Sequence, residues 1–183
     1  MTLDQIYQKH RQGAFPDKGT THSYIEPYAE LLEPYRETAK AILEIGIFGG
    51  ASMRMWQEYF NGAVYGIDCD EQPHGGMADL RPMIAEGVHN IHIMDASDNK
   101  QVKKHFKGIK FDVVIDDASH VLDQQVKTYN NFKPFLNKGA IYIIEDVQDI
   151  DKDRWVFESM GATILDRRSV KGRYDDVLII IKN

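Results

Sequence analysis

From residue 41 onward, short apolar runs alternate with longer mixed segments. The runs AILEIGI (41–47), AVYGID (63–68), NIHIMD (90–95), FDVVID (111–116), AIYIIED (140–146), ATILD (162–166) and DVLIIIK (176–182) are rich in Val and Ile. Each is bounded by Gly, Asn or Asp, which predicts strands. The segments 52–60, 77–86, 98–106, 121–136 and 151–160 carry the mixed pattern of helices. Strand–helix alternation predicts right-handed crossovers and a mostly parallel, doubly wound sheet covered on both faces. The last two runs are joined by DRRSVKGRY, too short for a helical crossover, so the sheet is expected to end in an antiparallel hairpin. A front segment, residues 1–40, holds two predicted helices flanking DKGTTHSY. There Asp17-Lys18-Gly19 suits a turn, and Ser23 to Glu26 has capping-box spacing. No repeat or Pro/Gly/Ser-rich linker interrupts the pattern, so 1–183 is expected to be a single α/β domain: the front segment plus a core over 41–183.

Composition adds exclusions. The 43% hydrophobic and 27% charged fractions are those of an ordinary globular chain. No apolar run approaches the roughly 20 residues of a membrane span. The opening MTLDQIYQKHRQG lacks the apolar core of a leader, so a cytoplasmic protein is expected. Cys69 is the single cysteine, which rules out an internal disulfide and fits a reducing compartment. A formal charge of −6 argues against nucleic acid as partner. The basic clusters Lys103, Lys104, Lys107, Lys110 and Arg167, Arg168, Lys171, Arg173 read as solvated faces. A homo-oligomer is left open.

Open parallel sheets bind ligands beyond the carboxyl ends of their strands. The first such junction is Leu43-Glu44-Ile45-Gly46-Ile47-Phe48-Gly49-Gly50. Gly46 and Gly49 let the chain turn tightly and approach a ligand closely. The spacing is not G-x-G-x-x-G, and Glu44 suits a cationic methionine moiety better than a phosphate. Asp68 ends the second predicted strand, where a carboxylate accepts from ribose hydroxyls. Asp95 ends the third, where an adenine amino group can donate to it. For each acid the plainer reading is a cap or a loop carboxylate, least so for Glu44 inside an apolar run.

Asp116 and Asp117 end the fourth predicted strand, Glu145 and Asp146 the fifth. If those strands are neighbours about 4.8 Å apart, four carboxylates converge and repel unless a cation joins them. A hard divalent ion, magnesium or manganese, suits oxygen donors, whereas zinc does not suit a set with one nearby histidine. Successive strand residues face opposite ways, so Asp117 is assigned to the metal and Asp116 to the cofactor side. His120 follows at a helix start, within reach of a hydroxyl, as a general base that a neighbouring dication would keep neutral. Capping and packing remain the alternative for either motif alone.

Taken together, E-I-G-x-x-G-G, Asp68, I-D-D-A-S-H (115–120) and I-I-E-D (143–146) resemble the class I, Rossmann-like methyltransferases related to the macrolide sugar O-methyltransferases of the mycinamicin and macrocin types. Proteins described as cephalosporin hydroxylase-like share the pattern. The resemblance implies S-adenosylmethionine as cofactor, a magnesium ion, and a hydroxyl of a small molecule or sugar as acceptor. It implies that Asp117, Glu145 and Asp146 match metal ligands and that His120 matches the base. It also implies that DKGTTHSY, with Lys18 and His22, lies near the cofactor. Two other readings compete: a nucleotide- or S-adenosylmethionine-binding module without methyl transfer, and a nicotinamide-dependent oxidoreductase, which the glycine pattern disfavours.

Overall fold

A computed structural model describes residues 1–11, 17–86 and 90–183; the end of the stretch read above for a leader lies outside them. The front segment contributes α1 (Leu3–His10), α2 (Asp17–Thr20) and α3 (Ile25–Leu32). The core follows as β1 (Ala41–Ile45), α4 (Ala51–Tyr59), β2 (Ala63–Asp68), α5 (Pro73–Gly76), α6 (Arg81–Glu86), β3 (Asn90–Ile93), α7 (Asn99–His105), β4 (Phe111–Asp116), α8 (Leu122–Phe132), β5 (Leu136–Ile144), α9 (Ile150–Ser159), β6 (Thr163–Asp166), α10 (Arg168–Lys171) and β7 (Val177–Lys182). The strands form one sheet in the order β3-β2-β1-β4-β5-β7-β6. Pairing is parallel from β3 to β5, and β7 runs antiparallel to both β5 and β6. This is the doubly wound sheet with a terminal hairpin that the run pattern predicts.

Four local expectations are corrected. The helix expected over 121–136 stops at Phe132, because Pro134 has no N–H to continue it; β5 then starts at Leu136 rather than Ala140. The helix expected over 77–86 gives way to two short ones, α5 ahead of it and α6, with Asp79 accepting from the Arg81 N–H. Asp17-Lys18-Gly19 opens the short helix α2 rather than a simple turn. Ser23 does not cap α3; its N–H and Oγ both donate to the buried Asp176, and α3 begins without a side-chain cap.

Side-chain alternation divides the sheet into two packed layers. Ile42, Val113, Ile115, Ile141 and Ile143 face α4 and the front helices α1 and α3. Leu43, Ile45, Val114, Tyr142 and Ile144 face the layer built by α7, α8 and α9. The front segment is therefore one cover of the sheet, tied to the far end of the chain by Lys171, whose Nζ donates to the carbonyls of Gly19, Thr20 and His22 at 2.6, 3.0 and 2.7 Å. No helix among the described residues is long and apolar enough to cross a membrane.

Candidate active site

A cavity of about 890 Å³ opens at the carboxyl ends of β1 to β4. Its floor is the loop after β1. Gly46 has φ 88°, and a Cβ there would lie 2.2 Å from the Asp117 backbone oxygen, so only glycine fits. Gly49 differs: its φ is ordinary, nothing lies within 4 Å of a Cβ built there, and it lines the cavity. Asp68 lines it as well. Its Oδ2 accepts from the N–H groups of Ile47 and Phe48 at 3.0 and 3.1 Å, and its Oδ1 from Cys69 N–H at 2.8 Å. A carboxylate offers about four acceptor sites, so Asp68 braces the glycine loop and keeps room for a hydroxyl donor. Asp95, exposed at the other end, accepts from Ser97 N–H at 2.8 Å in a local turn.

The acids beyond β4 and β5 sort by face. Asp117 and Glu145 fall on the layer covered by the front segment, and Glu44 on β1 shares that face. Lys18, on α2, reaches into all three. Its Nζ lies 2.7 Å from Asp117 Oδ2, 2.7 Å from Glu145 Oε1 and 3.6 Å from Glu44 Oε1. Tyr28 OH donates to Glu145 Oε1 at 2.6 Å, while Ser52 Oγ and Trp56 Nε1 donate to Glu44 at 2.8 and 3.2 Å. Burial pushes Asp117 up, but the Lys18 charge and the His120 contact outweigh it and hold the group below the usual carboxylate range. Burial dominates at Glu145, which is raised, and at Glu44, which reaches about 7 despite Lys18 and Ser52. Lys18 loses solvation, yet the surrounding carboxylates keep its ammonium charged. One ammonium balances one carboxylate, and Asp117 is the one it keeps ionised.

Asp117, His120 and Asp146 present ligand atoms within 4.8 Å of one another. His120 Nε2 stands 3.8 Å from Asp117 Oδ1 and 3.7 Å from Asp146 Oδ2. The contact with Asp117 raises the imidazole against its partial burial, and Asp146 adds to the rise. Asp146 sits at φ 56°, a left-handed conformation costly for a residue with a side chain, held in place by Tyr24 OH donating to its Oδ1 at 2.7 Å. Burial and the neighbouring Asp117 raise Asp146 to about 6, with His22 opposing. The carboxylates of Asp117 and Asp146 offer oxygen donors suited to a hard divalent ion, with the imidazole of His120 beside them.

A second recess, of about 500 Å³, joins the first. Phe48, Met77, His120 and Asp146 line both, so the imidazole stands at their junction. His22, Arg173 and Tyr174 line only the second recess. The His22 ring stacks on Tyr24 at 4.9 Å between centroids, and its buried Nδ1 has no hydrogen-bond partner among the described residues, although Asp146 Oδ1 is 3.2 Å away.

Four of the residues expected at the site do not line the larger cavity. Glu145 does not join the group of Asp117, His120 and Asp146; its Oε1 accepts from Lys18 Nζ and Tyr28 OH, both at the face covered by the front segment. Asp116 does not face the cofactor side: strand alternation turns it into the opposite layer, where Tyr142 OH donates to its Oδ2 at 2.7 Å. Glu44 is wholly buried under α4 and does not line the cavity. His22 borders the second recess, not the larger cavity. Lys18 does line that cavity, but its ammonium is engaged by the acids. The partners Tyr24, Tyr28 and Ser52 carry no signal in the sequence, and Trp56, whose position at the start of the first core helix suggests packing, donates to Glu44.

The family described as "Methyltransferase domain" matches residues 43–147. Among characterised relatives, the 8-demethyl-8-alpha-L-rhamnosyl tetracenomycin-C 2'-O-methyltransferase of Streptomyces olivaceus is 34% identical over 72% of this chain and 35% of its own length. The mycinamicin VI 2''-O-methyltransferase of Micromonospora griseorubida is 30% identical over 72% of this chain and 33% of its own. The chain thus spans about a third of these curated relatives. Among solved structures, the MycE methyltransferase in complex with Mg, SAH and mycinamycin VI aligns over 100% of this chain and 54% of that chain, with TM-score 0.74 and 21% identity. An O-methyltransferase from Bacillus cereus in complex with SAH aligns over 100% and 90%, with TM-score 0.65 and 16% identity.

Proposed function

Because the chain belongs to the methyltransferase domain family, we propose that it moves a methyl group from S-adenosylmethionine to a hydroxyl of a sugar or similar small molecule, with a divalent ion such as magnesium at Asp117 and Asp146. The observation that carries this reading is the position of His120 at the junction of two cavities, beside two carboxylates. The larger cavity has the size of a cofactor site, and the smaller adjoins it on the imidazole side. Relatives named as sugar O-methyltransferases, and a structural neighbour holding Mg and SAH, support the choice of donor, ion and acceptor.

Bound S-adenosylmethionine supplies an electrophilic sulfonium methyl, and a bound divalent ion favours the ionised form of a neighbouring hydroxyl. The chain's own residues do the rest. Gly46 and Gly49 let the backbone close on the methionine portion, Asp68 accepts from ribose hydroxyls, and Asp95 borders the adenine end. Asp117 and Asp146 would hold the ion, which would set an acceptor hydroxyl beside His120. His120 Nε2 takes the hydroxyl proton as the oxygen attacks the methyl carbon and the carbon–sulfur bond breaks, releasing S-adenosylhomocysteine. The recess also holds Asp17, and Asp175 paired there with Arg173 at 2.8 Å.

Calorimetric titration with S-adenosylhomocysteine and with NAD tests the donor: saturable binding of the first and none of the second is expected, and the reverse sinks the reading. Incubation with labelled S-adenosylmethionine and a panel of glycosides tests the transfer. A protein that binds the donor and labels no acceptor in the panel would favour a binding module instead.

A further inference from the structure

The larger cavity carries its charges unevenly. Six aspartates line it, against four basic side chains, His10, Arg11, Lys18 and His120. Three of the four have acids beside them: His10 meets Glu58, Lys18 meets Asp117 and Glu145, and His120 stands next to Asp117 and Asp146. Arg11 has no ion-pair partner among the described residues, whereas every other arginine of the chain is in an ion pair. It is exposed and follows the last turn of α1, whose Lys9 and His10 each meet Glu58 of α4 at 2.7 Å. Burial raises the phenol of Tyr7, one turn earlier, and a hydrogen bond with Thr20 and the Arg11 charge oppose that rise. The Tyr7 ring packs on Gly19 of α2, where a Cβ would meet it at 2.5 Å. Arg11 thus borders the cavity where α1, α2 and α4 come together, beside Ala51, Ser52 and Met55.

We propose that Arg11 binds the carboxylate of the cofactor's methionine portion, so that the site selects S-adenosylmethionine and S-adenosylhomocysteine over adenosyl compounds that lack this group. This rests on the reading above that the larger cavity takes S-adenosylmethionine. That molecule has two cationic groups, the sulfonium and the ammonium, and one anionic group. The aspartates of the lining suit the cations, but they repel the carboxylate unless a positive charge meets it. A guanidinium presents paired N–H donors that match both oxygens of a carboxylate, and it stays charged at any working pH. An arginine with no acid of its own in this acidic lining has those donors available for a ligand. The position also agrees with the rest of the cofactor. Asp68 and Asp95 border the cavity beyond β2 and β3, at the nucleoside end, whereas Arg11 borders it from the side of α1 and α4. The front segment thereby takes part in binding the cofactor as well as in covering the sheet.

The test is calorimetric titration of the full chain with S-adenosylhomocysteine and with S-adenosyl-3-thiopropylamine, which lacks only the carboxylate. Wild type is expected to bind the first at least about tenfold more tightly, the scale of one charge-assisted hydrogen-bonded pair. Arg11→Gln is expected to lose at least about tenfold toward S-adenosylhomocysteine while staying within about threefold of wild type toward the analogue. Arg11→Lys keeps the charge without the planar fork, and its loss toward S-adenosylhomocysteine is expected to fall between those of wild type and Arg11→Gln. Because Arg11 is exposed, the midpoint of urea unfolding is expected to stay at the wild-type value in both variants. If Arg11→Gln folds poorly, Arg11→Lys measured against both ligands decides. A purely structural arginine would weaken both ligands equally, and that result overturns the inference. Unchanged S-adenosylhomocysteine affinity in Arg11→Gln, or equal affinity of wild type for the two compounds, overturns it as well. All three results leave the proposed function standing, because S-adenosylhomocysteine still binds. Failure of wild type to bind either compound overturns the cofactor reading itself, and this inference with it.

Discussion

At the scale of single residues, His120 and Asp116 show how one face or the other of a strand end decides a side chain's fate. His120 is half-exposed between two carboxylates, and His120→Gln is expected to lower kcat by about 10²–10⁴-fold while S-adenosylhomocysteine affinity, read by calorimetry, stays near wild type. Equal kcat would remove the imidazole from the chemistry. Asp116, one position before Asp117, is buried, and burial lifts it to about 7, with the Tyr142 hydrogen bond opposing. Its folded value lies above the ordinary 3.8, so the folded state binds the extra proton and stability falls as pH rises between 3.8 and about 7. Asp116→Asn keeps an oxygen for Tyr142 and has no charge to bury. Its stability relative to wild type, from urea unfolding, is expected to improve across that window by up to about 1.4 kcal/mol per pH unit. A pH-independent difference would mean that Asp116 is neutral, or equally charged, in both states. Much of this was legible in the sequence: I-D-D-A-S-H announced acids and an imidazole at a strand end. Parity separated Asp116 from Asp117 correctly, but it could not say that Tyr142, on the next strand, was waiting on the buried side.

At the scale of elements, the strands were the clearest part of the sequence because the inner ones are continuous apolar runs buried on both faces, with only the edge strands β3 and β6 half-covered. Helix ends were less clear. Pro134 was visible inside the 121–136 segment, and its missing N–H ends α8 at Phe132. The loop after β1 was read as a ligand turn from its glycines, yet the glycines differ in kind. Gly46→Ala meets the Asp117 carbonyl at 2.2 Å in a left-handed backbone, so a loss of more than about 1 kcal/mol is expected in urea unfolding, together with loss of S-adenosylhomocysteine binding. Gly49→Ala meets nothing, and its stability is expected to stay within about 0.5 kcal/mol of wild type while the added methyl weakens ligand binding at the cavity floor. Identical behaviour of the two variants would contradict the distinction between a glycine the fold requires and one the ligand requires.

At the scale of the whole molecule, the front segment is the part the sequence described least. No local pattern tells a lysine that its partners lie 99 and 127 residues away, and Ser23, with its capping spacing, binds Asp176 instead of its own helix. The segment is held by the other end of the chain. Lys171 donates to three carbonyls around the end of α2, Asp176 accepts from Ser23 N–H at 3.0 Å and Oγ at 2.7 Å, and Arg167 donates to Glu26 and to Ser23 Oγ. A cation at a helix C-terminus satisfies carbonyls that the helix itself leaves open. Lys171 is exposed and far from the sheet core, so Lys171→Met is expected to change global stability by no more than about 1 kcal/mol. Its effect belongs to the segment. The amides of Thr21, His22 and Tyr24, which donate to Asp17 and Lys18 carbonyls, are expected to exchange with solvent about tenfold faster, the equivalent of about 1.4 kcal/mol of local stability. Because those same turns carry Lys18 into the acid cluster, ligand affinity should fall in parallel, which hydrogen exchange and calorimetry on one sample can compare. Faster exchange with unchanged affinity would uncouple the segment from the site; unchanged exchange would mean that Asp176 and the α1–α3 packing suffice to hold it, and that the lysine merely decorates the end of α2.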